Sequence, residues 1–225
     1  MKAMLLAAGK GTRMLPLTAQ TPKPLLQVAG RSLIEHQIVK LEAAGFTELV
    51  INTAWLGEQL EQALGDGSAL GVNIQWSREA EPLETAGGII RALPLLGARP
   101  FAVINADTWT DYPFEKLTNA LATDMHAHLV LVPNPPHHPH GDFILKEDGS
   151  LKCPKIHVQH ALTFSGIAVY HPAMFIGINQ VKYPLLPILQ RAIRRDLASA
   201  EYYDGVWEDI GTPERLDALD KALRA

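Results

Sequence analysis

A short apolar stretch near the start of the chain runs directly into a segment of glycines and cations. Glycine has no side chain, so two glycines in a turn allow backbone N–H groups to approach an anion closely. Lysine and arginine on the same turn add the positive charge that a polyphosphate requires. The sequence therefore predicts a triphosphate-binding turn at Ala8, Gly9, Lys10, Gly11, Thr12 and Arg13.

Two well-known phosphate-binding patterns do not match this turn. A dinucleotide-binding fingerprint needs a third glycine where Met14 stands, and a P-loop needs Gly-Lys-Ser/Thr after a four-residue gap. A solvated surface turn is the plain alternative for a bare pair of glycines. Arg13 argues against that alternative, and so does Lys23, because a proline on either side restrains the backbone of this lysine.

An acidic residue ends one of the apolar runs. The run 101–104 leads through Asn105 to Asp107. Ligands in an open α/β sheet lie beyond the carboxyl ends of the strands, so we expect Asp107 to face the same crevice as the glycine turn. Mg²⁺ bound to phosphates takes one or two protein carboxylates, which makes Asp107 a candidate metal ligand. Capping of the turn 107–111 is the structural alternative for this residue.

A second candidate carboxylate, Asp209, lies in another short apolar run, 206–210, far along the chain. The residues after it are explained by structure alone, because Thr212 is a good helix cap and Pro213 suits the first helical position. Asp209 precedes this helix start, so capping does not explain it. We expect the two aspartates to converge on one magnesium-bound triphosphate.

Elements that could position these residues alternate along the chain. Strands are predicted at 3–8, 49–51, 72–76, 101–104 and 129–132, and apolar residues at helical spacing mark helices near 34–41, 56–64 and 216–223. The near-continuous apolarity of the strands suits a sheet that is covered on both faces. Strand–helix alternation of this kind predicts a parallel α/β sheet.

The second half of the chain predicts an extension of the same domain. A proline-rich loop at 133–142 is followed by a hairpin at 143–152, a strand at 163–170, a helix at 184–197 and a strand at 206–210. We expect one domain over residues 1–225, with residues 1–110 as the nucleotide-binding half and residues 111–225 as the sugar-binding half.

Composition excludes several classes of protein. The formal charge is −4 and aromatic residues make up 7%, so nucleic acid binding has little support. The single Cys153 cannot form an internal disulfide, which favours a reducing, cytoplasmic location. The first apolar run is too short for a signal peptide or a membrane span. His137, His138 and His140 lack a carboxylate at helical spacing, which disfavours a histidine metal site.

The glycine turn and the prolines after it resemble the sugar-1-phosphate nucleotidylyltransferase family. The family's Gly-x-Gly-x-Arg, Pro-Leu-Thr and Pro-Lys-Pro are matched by residues 9–13, 16–18 and 22–24. The resemblance implies that the turn holds a nucleoside triphosphate. It also implies that Arg13 steadies the departing pyrophosphate and that Lys23 serves the reacting phosphates.

Both aspartates lie in segments that resemble the metal-binding motifs of this family. Residues 105–107 resemble the first motif, with Ala106 where glycine is usual, and residues 207–212 resemble the second. The resemblance implies that Asp107 and Asp209 are the Mg²⁺ ligands. It also implies a Rossmann-like, mostly parallel sheet flanked by helices, with a smaller sugar-binding β extension, as in the nucleotide-diphospho-sugar transferases.

Residues 79–88 occupy the family's usual base-binding position, and their form looks most like that of the N-acetylmuramate-1-phosphate uridylyltransferases. Residues 137–143 and 163–167 share this likeness. A helix beginning near Ala86 explains the glycines less well than a flat base lying against backbone, because glycine disfavours helix interiors. The resemblance implies base contacts at Glu81, Ala86, Gly87 and Gly88 and sugar contacts at Asn105, Gly141, Asp142, Ser165 and Gly166.

The reaction implied is transfer of UMP from UTP to N-acetylmuramate 1-phosphate in cell-wall recycling, with Mg²⁺ as cofactor and pyrophosphate as the second product. Arg13 with Lys10 would stabilise the leaving pyrophosphate, and Lys23 would align the reactants. A cation, Lys152 or Lys155, would meet the lactyl carboxylate of the acceptor. The alternatives are a mannose-1-phosphate guanylyltransferase-like enzyme and a catalytically silent nucleotide-sugar sensor, and the oligomeric state stays open.

Overall fold

The computed structural model describes residues 1–154 and 160–224. Its strands are β1 Lys2–Leu6, β2 Gln27–Val28, β3 Arg31–Ser32, β4 Glu48–Thr53, β5 Asn73–Arg78, β6 Phe101–Asn105, β7 Thr108–Thr110, β8 Ala127–Val132, β9 Ile144–Leu145, β10 Leu151–Lys152, β11 Thr163–Tyr170, β12 Ala198–Tyr202 and β13 Trp207–Asp209. Its α-helices are α1 Leu33–Ala43, α2 Gly57–Leu64, α3 Glu84–Leu96, α4 Leu186–Ile193 and α5 Pro213–Arg224. No helix in these described ranges combines the length and apolarity that crossing a bilayer requires.

A seven-stranded sheet in the order β12-β8-β11-β6-β1-β4-β5 forms the centre of the molecule. β6, β1, β4 and β5 are parallel neighbours, and β12 is parallel to β8. β11 pairs antiparallel with both β6 and β8. The predicted mostly parallel sheet is therefore confirmed, and strands from both halves of the chain belong to it.

Alternation along the central strands sends side chains into two cores, one on each face of the sheet. Met4 and Val103 belong to the core that includes α3 and α4, whereas Leu5 and Ile104 belong to the core that includes α1 and α2. Burial on both faces explains why these strands have continuous apolar sequences. A third, smaller core joins the turn after β1 to α5 through contacts that include Met14, Ile210 and Leu219.

The expectation that residues 86–88 lie outside a helix is wrong, because α3 begins at Glu84 and contains them. Close packing explains the glycines. A Cβ on Gly87 would lie 2.4 Å from the backbone oxygen of Val181, and a Cβ on Gly88 would lie 2.8 Å from the Asn52 amide nitrogen. The gain in packing therefore outweighs the low helix propensity of glycine.

The structure differs from the sequence predictions in three elements. The helix predicted at 184–197 is shorter, since α4 ends at Ile193. β12 was not predicted, because it lies at the edge of the sheet and its sequence Ala-Ser-Ala-Glu-Tyr is only half apolar. β7 replaces most of the turn expected at 107–111 and pairs antiparallel with β13.

Candidate active site

A cavity of about 390 Å³ opens at the carboxyl ends of β1, β4, β5 and β6, where an open α/β sheet binds its ligands. Its lining combines the predicted turn with the ends of the neighbouring strands. The predicted residues in this lining are Ala8, Gly9, Gly11, Thr12, Arg13, Lys23, Asn105 and Asp107. Lys10 is exposed and does not line the cavity.

The glycine turn packs tightly against the segment that carries the buried lysine. Gly11 has a φ of +62°, and a Cβ there would lie 2.9 Å from Thr18 Cγ2 and 3.1 Å from Lys23 Cβ. The Thr18 hydroxyl donates a hydrogen bond of 2.8 Å to the Gly11 carbonyl. Gly9 differs, because a Cβ at this position would meet no atom within 4 Å. The turn therefore needs glycine at position 11 for its own conformation, and Gly9 leaves the cavity open.

Two polar residues at the ends of β4 and β5 also line this cavity: Asn52, which sequence reasoning missed, and Glu79, the first residue of the segment predicted to bind the base. Asn52 accepts a hydrogen bond of 2.8 Å from the Ala7 backbone N–H and donates one of 2.7 Å to Glu79. The other oxygen of Glu79 accepts from the Leu83 N–H at 2.9 Å. Burial raises the pKa of Glu79, and these two hydrogen bonds oppose that shift. A polar residue at the end of a buried strand, as at Asn52, was the available signal.

The structure brings the two predicted aspartates together through one short ribbon. In the pairing of β7 with β13, Asp209 is opposite Thr108, the residue that follows Asp107. The backbone N–H of Ile210 donates to the Asp107 carbonyl at 3.1 Å. Residues far apart in the sequence therefore present their carboxylates at one site.

Helix α1 holds this ribbon in place from behind. The buried amide of Gln37 donates to the Thr108 carbonyl, and the Lys40 ammonium donates to the Thr110 carbonyl. Lys40 also lies over the Trp109 ring, with its nitrogen 4.1 Å from the centroid. Burial lowers the pKa of Lys40, and the charge of Asp111 opposes this shift.

Each aspartate is paired with a cation. Lys23 Nζ lies 2.6 Å from Asp107 Oδ2, and the lysine side chain is only 7% exposed. Arg215, in the first turn of α5, places Nη1 3.0 Å from Asp209 Oδ2 and 2.7 Å from the Asp209 carbonyl. Sequence reasoning missed Arg215, although its place just after the predicted helix start was a usable signal. Arg13 lies nearby, since Nη1 of Arg13 and Oδ2 of Asp209 would each be 3.1 Å from a Cβ on Gly211.

The carboxylates suit a magnesium ion. The Asp107 and Asp209 side chains are 33% and 21% exposed, so both are accessible from the cleft. Mg²⁺ takes one or two protein carboxylates and completes its shell with water and phosphate oxygens. In the described part of the chain, no group of three or more His, Cys, Asp or Glu residues could hold a metal, so a fully protein-bound cage is not found there.

A second cavity of about 410 Å³ continues from the first and shares Arg13, Asn105 and Asp107 with it. Of the predicted sugar-binding residues, Asn105 and Ser165 line this second cavity. The Ser165 hydroxyl already donates to the Val130 carbonyl at 2.7 Å, and it accepts from the Ile167 N–H at 3.1 Å. The Ser165 hydroxyl is therefore already engaged within the sheet.

Three other residues predicted to contact the sugar are packed against or hydrogen-bonded to other parts of the protein. Gly166 has a φ of +79°, and a Cβ there would lie 2.3 Å from the Asn105 amide nitrogen. Gly141 has a φ of +61° and packs against the Ala161 carbonyl. The carboxylate of Asp142 accepts from the Phe164 N–H at 2.8 Å and lies 3.1 Å from His138. None of these three residues lines the first or the second cavity.

The predicted base contacts also lie away from the first cavity. Glu81 is exposed, residues 86–88 are buried inside α3, and the lining contains the preceding turn, Leu83, Glu84 and Thr85, in their place. Glu84 has a φ of +65°, an uncommon conformation for a residue with a side chain. This part of the cavity wall is therefore formed by residues 83–85, just before the predicted contacts at 86–88.

Two histidines of the proline-rich loop line the second cavity. His137 lies 3.5 Å from Asp209 and 3.2 Å from Arg215. Burial lowers the pKa of His137, and the charge of Arg215 lowers it further. The charge of Asp209 opposes this shift, and His137 thus adds a polar ring beside the ion pair of Asp209 and Arg215.

Comparisons with known proteins agree with this geometry. The nucleotidyl transferase family model matches residues 2–224. The chain is 52% identical to N-acetylmuramate alpha-1-phosphate uridylyltransferase of Neisseria meningitidis serogroup B, over 96% of this chain and 95% of that protein. It is 30% identical to the mannose-1-phosphate guanylyltransferase catalytic subunit beta of Drosophila melanogaster, over 95% of this chain and 60% of that protein.

The fold is also found in solved structures. HddC from Yersinia pseudotuberculosis, crystallised in complex with GMP-PN, superposes with a TM-score of 0.81 at 19% identity and covers 99% of both chains. This likeness concerns the fold alone, and the family match covers almost the whole chain. The chain therefore belongs to the nucleotidyl transferase family.

Proposed function

We propose that this protein transfers UMP from UTP to N-acetylmuramate 1-phosphate and releases pyrophosphate. The observation that carries the reaction class is the convergence of Asp107 and Asp209 in the second cavity, which adjoins the glycine turn at Arg13. The choice of uridine and of muramate is supported by the relative that is 52% identical over nearly the full length of both chains. We assign the reaction to cytoplasmic recycling of cell-wall sugars.

The two cavities suit a direct displacement. The nucleotide occupies the first cavity and the acceptor sugar the second, so that their phosphates meet at Arg13, Asn105 and Asp107, which line both. A phosphate oxygen of the sugar attacks the α-phosphorus of UTP as the bond to pyrophosphate breaks on the opposite side. Such a reaction needs positioning and charge neutralisation rather than a covalent intermediate.

Charge on the phosphates is neutralised by the cations of the cleft. Mg²⁺, held by Asp107 and Asp209, supplies a divalent charge to the phosphates when it is bound. Arg13 lies at the exposed end of the glycine turn, where it stabilises the departing pyrophosphate together with Lys10. Lys23 is buried beside Asp107 and can exchange this carboxylate for a phosphate oxygen without leaving the cleft.

The surroundings of Ser165 and Cys153 do not favour a role for either side chain as a nucleophile. The Ser165 hydroxyl donates to the Val130 carbonyl, and among the described histidines none forms a hydrogen bond with it. Burial raises the pKa of Cys153, which keeps its thiol protonated. These surroundings agree with direct transfer between the two substrates.

The test is pyrophosphate release with UTP, GTP and dTTP, each offered with N-acetylmuramate 1-phosphate, N-acetylglucosamine 1-phosphate and mannose 1-phosphate. We expect the highest kcat/KM for UTP with N-acetylmuramate 1-phosphate. Turnover restricted to GTP with mannose 1-phosphate would instead support the guanylyltransferase activity named for the Drosophila relative. Nucleotide-sugar binding with no turnover in any combination would support a sensor.

A further inference from the structure

A third cavity, of about 540 Å³, continues from the sugar side of the cleft. It shares Pro135, His137, Trp207 and Asp209 with the second cavity, so the two are neighbours along one groove. The volume falls within the usual range for a small-molecule site. The three cavities therefore follow one another from the nucleotide, through the acceptor sugar, to a compartment that has no assigned occupant.

The walls of this third cavity are largely apolar. Prolines of the loop 133–136 form one side, and Val206 and Trp207 form the other. The indole N–H of Trp207 donates to the Ser165 carbonyl at 2.9 Å, which fixes the ring between the second and third cavities. Such walls favour a small aliphatic group over a hydrated one.

Arg215 is the cation in the described lining of this cavity. Its Nη1 contacts Asp209 and His137, and within residues 1–154 and 160–224 its Nε and Nη2 make no hydrogen bond. Glu208 and Asp209 line the same cavity, so an anion would be repelled at any position that does not face the guanidinium. The cavity thus matches a ligand that carries both an aliphatic group and a single carboxylate.

We propose that this cavity binds a carboxylate-bearing ether substituent on the ring of the acceptor sugar, with Arg215 as its counter-ion. The inference rests on the proposed function and identifies how the acceptor is selected, because the lactyl group of N-acetylmuramate has a methyl group and a carboxylate. Arg215 takes the place of the lysines suggested by the sequence. Lys152 is exposed and does not line any of the three cavities, and Lys155 lies outside the described residues.

The test compares two acceptors that differ only in the lactyl ether, N-acetylmuramate 1-phosphate and N-acetylglucosamine 1-phosphate, with UTP. Arg215→Gln should lower kcat/KM for both, because Arg215 also holds Asp209. It should lower the ratio of the muramate value to the glucosamine value by about tenfold to a hundredfold. Arg99→Gln, at an exposed arginine that precedes the amino end of β6 and lines none of the three cavities, is the matched control and should leave the ratio unchanged.

A second variant tests the cavity without removing the ion pair of Asp209. Ala218 lines the third cavity from α5 and is exposed, so Ala218→Phe should fill the space with little effect on folding. We expect KM to rise several-fold for the muramate acceptor and to stay constant for the glucosamine acceptor. An unchanged ratio in both variants would overturn the inference and leave the uridylyltransferase activity standing. A wild-type protein that does not use the muramate acceptor would overturn both proposals.

Discussion

The glycine turn and the acceptor side of the cleft differ in how many of their predicted residues line a cavity. On the nucleotide side, five of the six residues predicted in the glycine turn line the first cavity. On the acceptor side, Gly141, Asp142 and Gly166 line neither of the first two cavities. The turn that we propose for phosphate is one contiguous stretch of backbone, whereas the acceptor side is assembled from segments that meet only in the folded chain.

Side chains on the acceptor side are used to hold loops together. Asp142 joins the proline-rich loop to β11 through its bond to the Phe164 N–H, and Asn134 of the same loop donates to the Ala161 carbonyl at 2.8 Å. A polar residue that looks available in sequence can therefore be fully engaged in structure. A local sequence motif therefore predicts backbone chemistry better than it predicts which side chains are free to bind a ligand.

The largest effect is expected where the two sides meet. Asp107→Asn and Asp209→Asn should each lower kcat at saturating Mg²⁺ by about a hundredfold or more, because each removes a charge that holds the metal on the phosphates. Pyrophosphate release measures the loss. Asp124→Asn, at an exposed aspartate, is the control, and near-native turnover in either test variant would remove that aspartate from the site.

A substitution of Asp142 tests whether this residue of the proline-rich loop 133–142 stabilises the fold or contacts the acceptor. Asp142→Ala leaves the Phe164 N–H without its partner, so the free energy of unfolding should fall by about 1–3 kcal/mol in a denaturant titration. Asp148→Ala, which breaks a similar bond in an exposed turn, should have a smaller effect. Unchanged stability with a raised KM for the sugar phosphate would show that Asp142 contacts the acceptor, and the contrast between the two sides would fail.

Substitutions of the two glycines test which of them the conformation of the turn requires. Gly11→Ala forces a side chain into a left-handed conformation and against Thr18, so it should lower the free energy of unfolding by about 1–2 kcal/mol. It should also raise KM for UTP. Gly9→Ala is the matched variant, since a Cβ meets open space there, and it should change stability much less. Equal effects in the two variants would contradict the described turn.

The smallest effect concerns the pH dependence of stability. The pKa of Glu79 is raised from its ordinary value of 4.5 by burial, so above pH 4.5 the folded protein binds more protons at this residue than the unfolded chain does. Glu79 therefore makes stability fall as pH rises through its folded pKa. Glu79→Gln should flatten this slope in unfolding titrations from pH 4 to 7, and the exposed Glu81→Gln should not. An unchanged slope in Glu79→Gln would contradict the shift.

Much of the framework could be predicted from sequence. β11 matches its predicted bounds, and the other long central strands lie within a few residues of theirs, because continuous apolar runs mark strands that are buried on both faces. The edge strand β12 could not be predicted, since it buries less apolar surface. Residues 86–88 were misread because the close approach of residue 181 to α3 outweighs the helix propensity of glycine.

The sequence alone determined the sheet class, the glycine turn that lines the cleft and the identity of the two aspartates, because apolar periodicity and backbone chemistry are encoded in neighbouring residues. Tertiary structure decided which partners those groups have: Lys23 on Asp107, Arg215 on Asp209 and Asn52 on Glu79. Hydrogen bonds and ion pairs act over about 3 Å. Partners far apart in sequence are therefore fixed only when strands and helices pack.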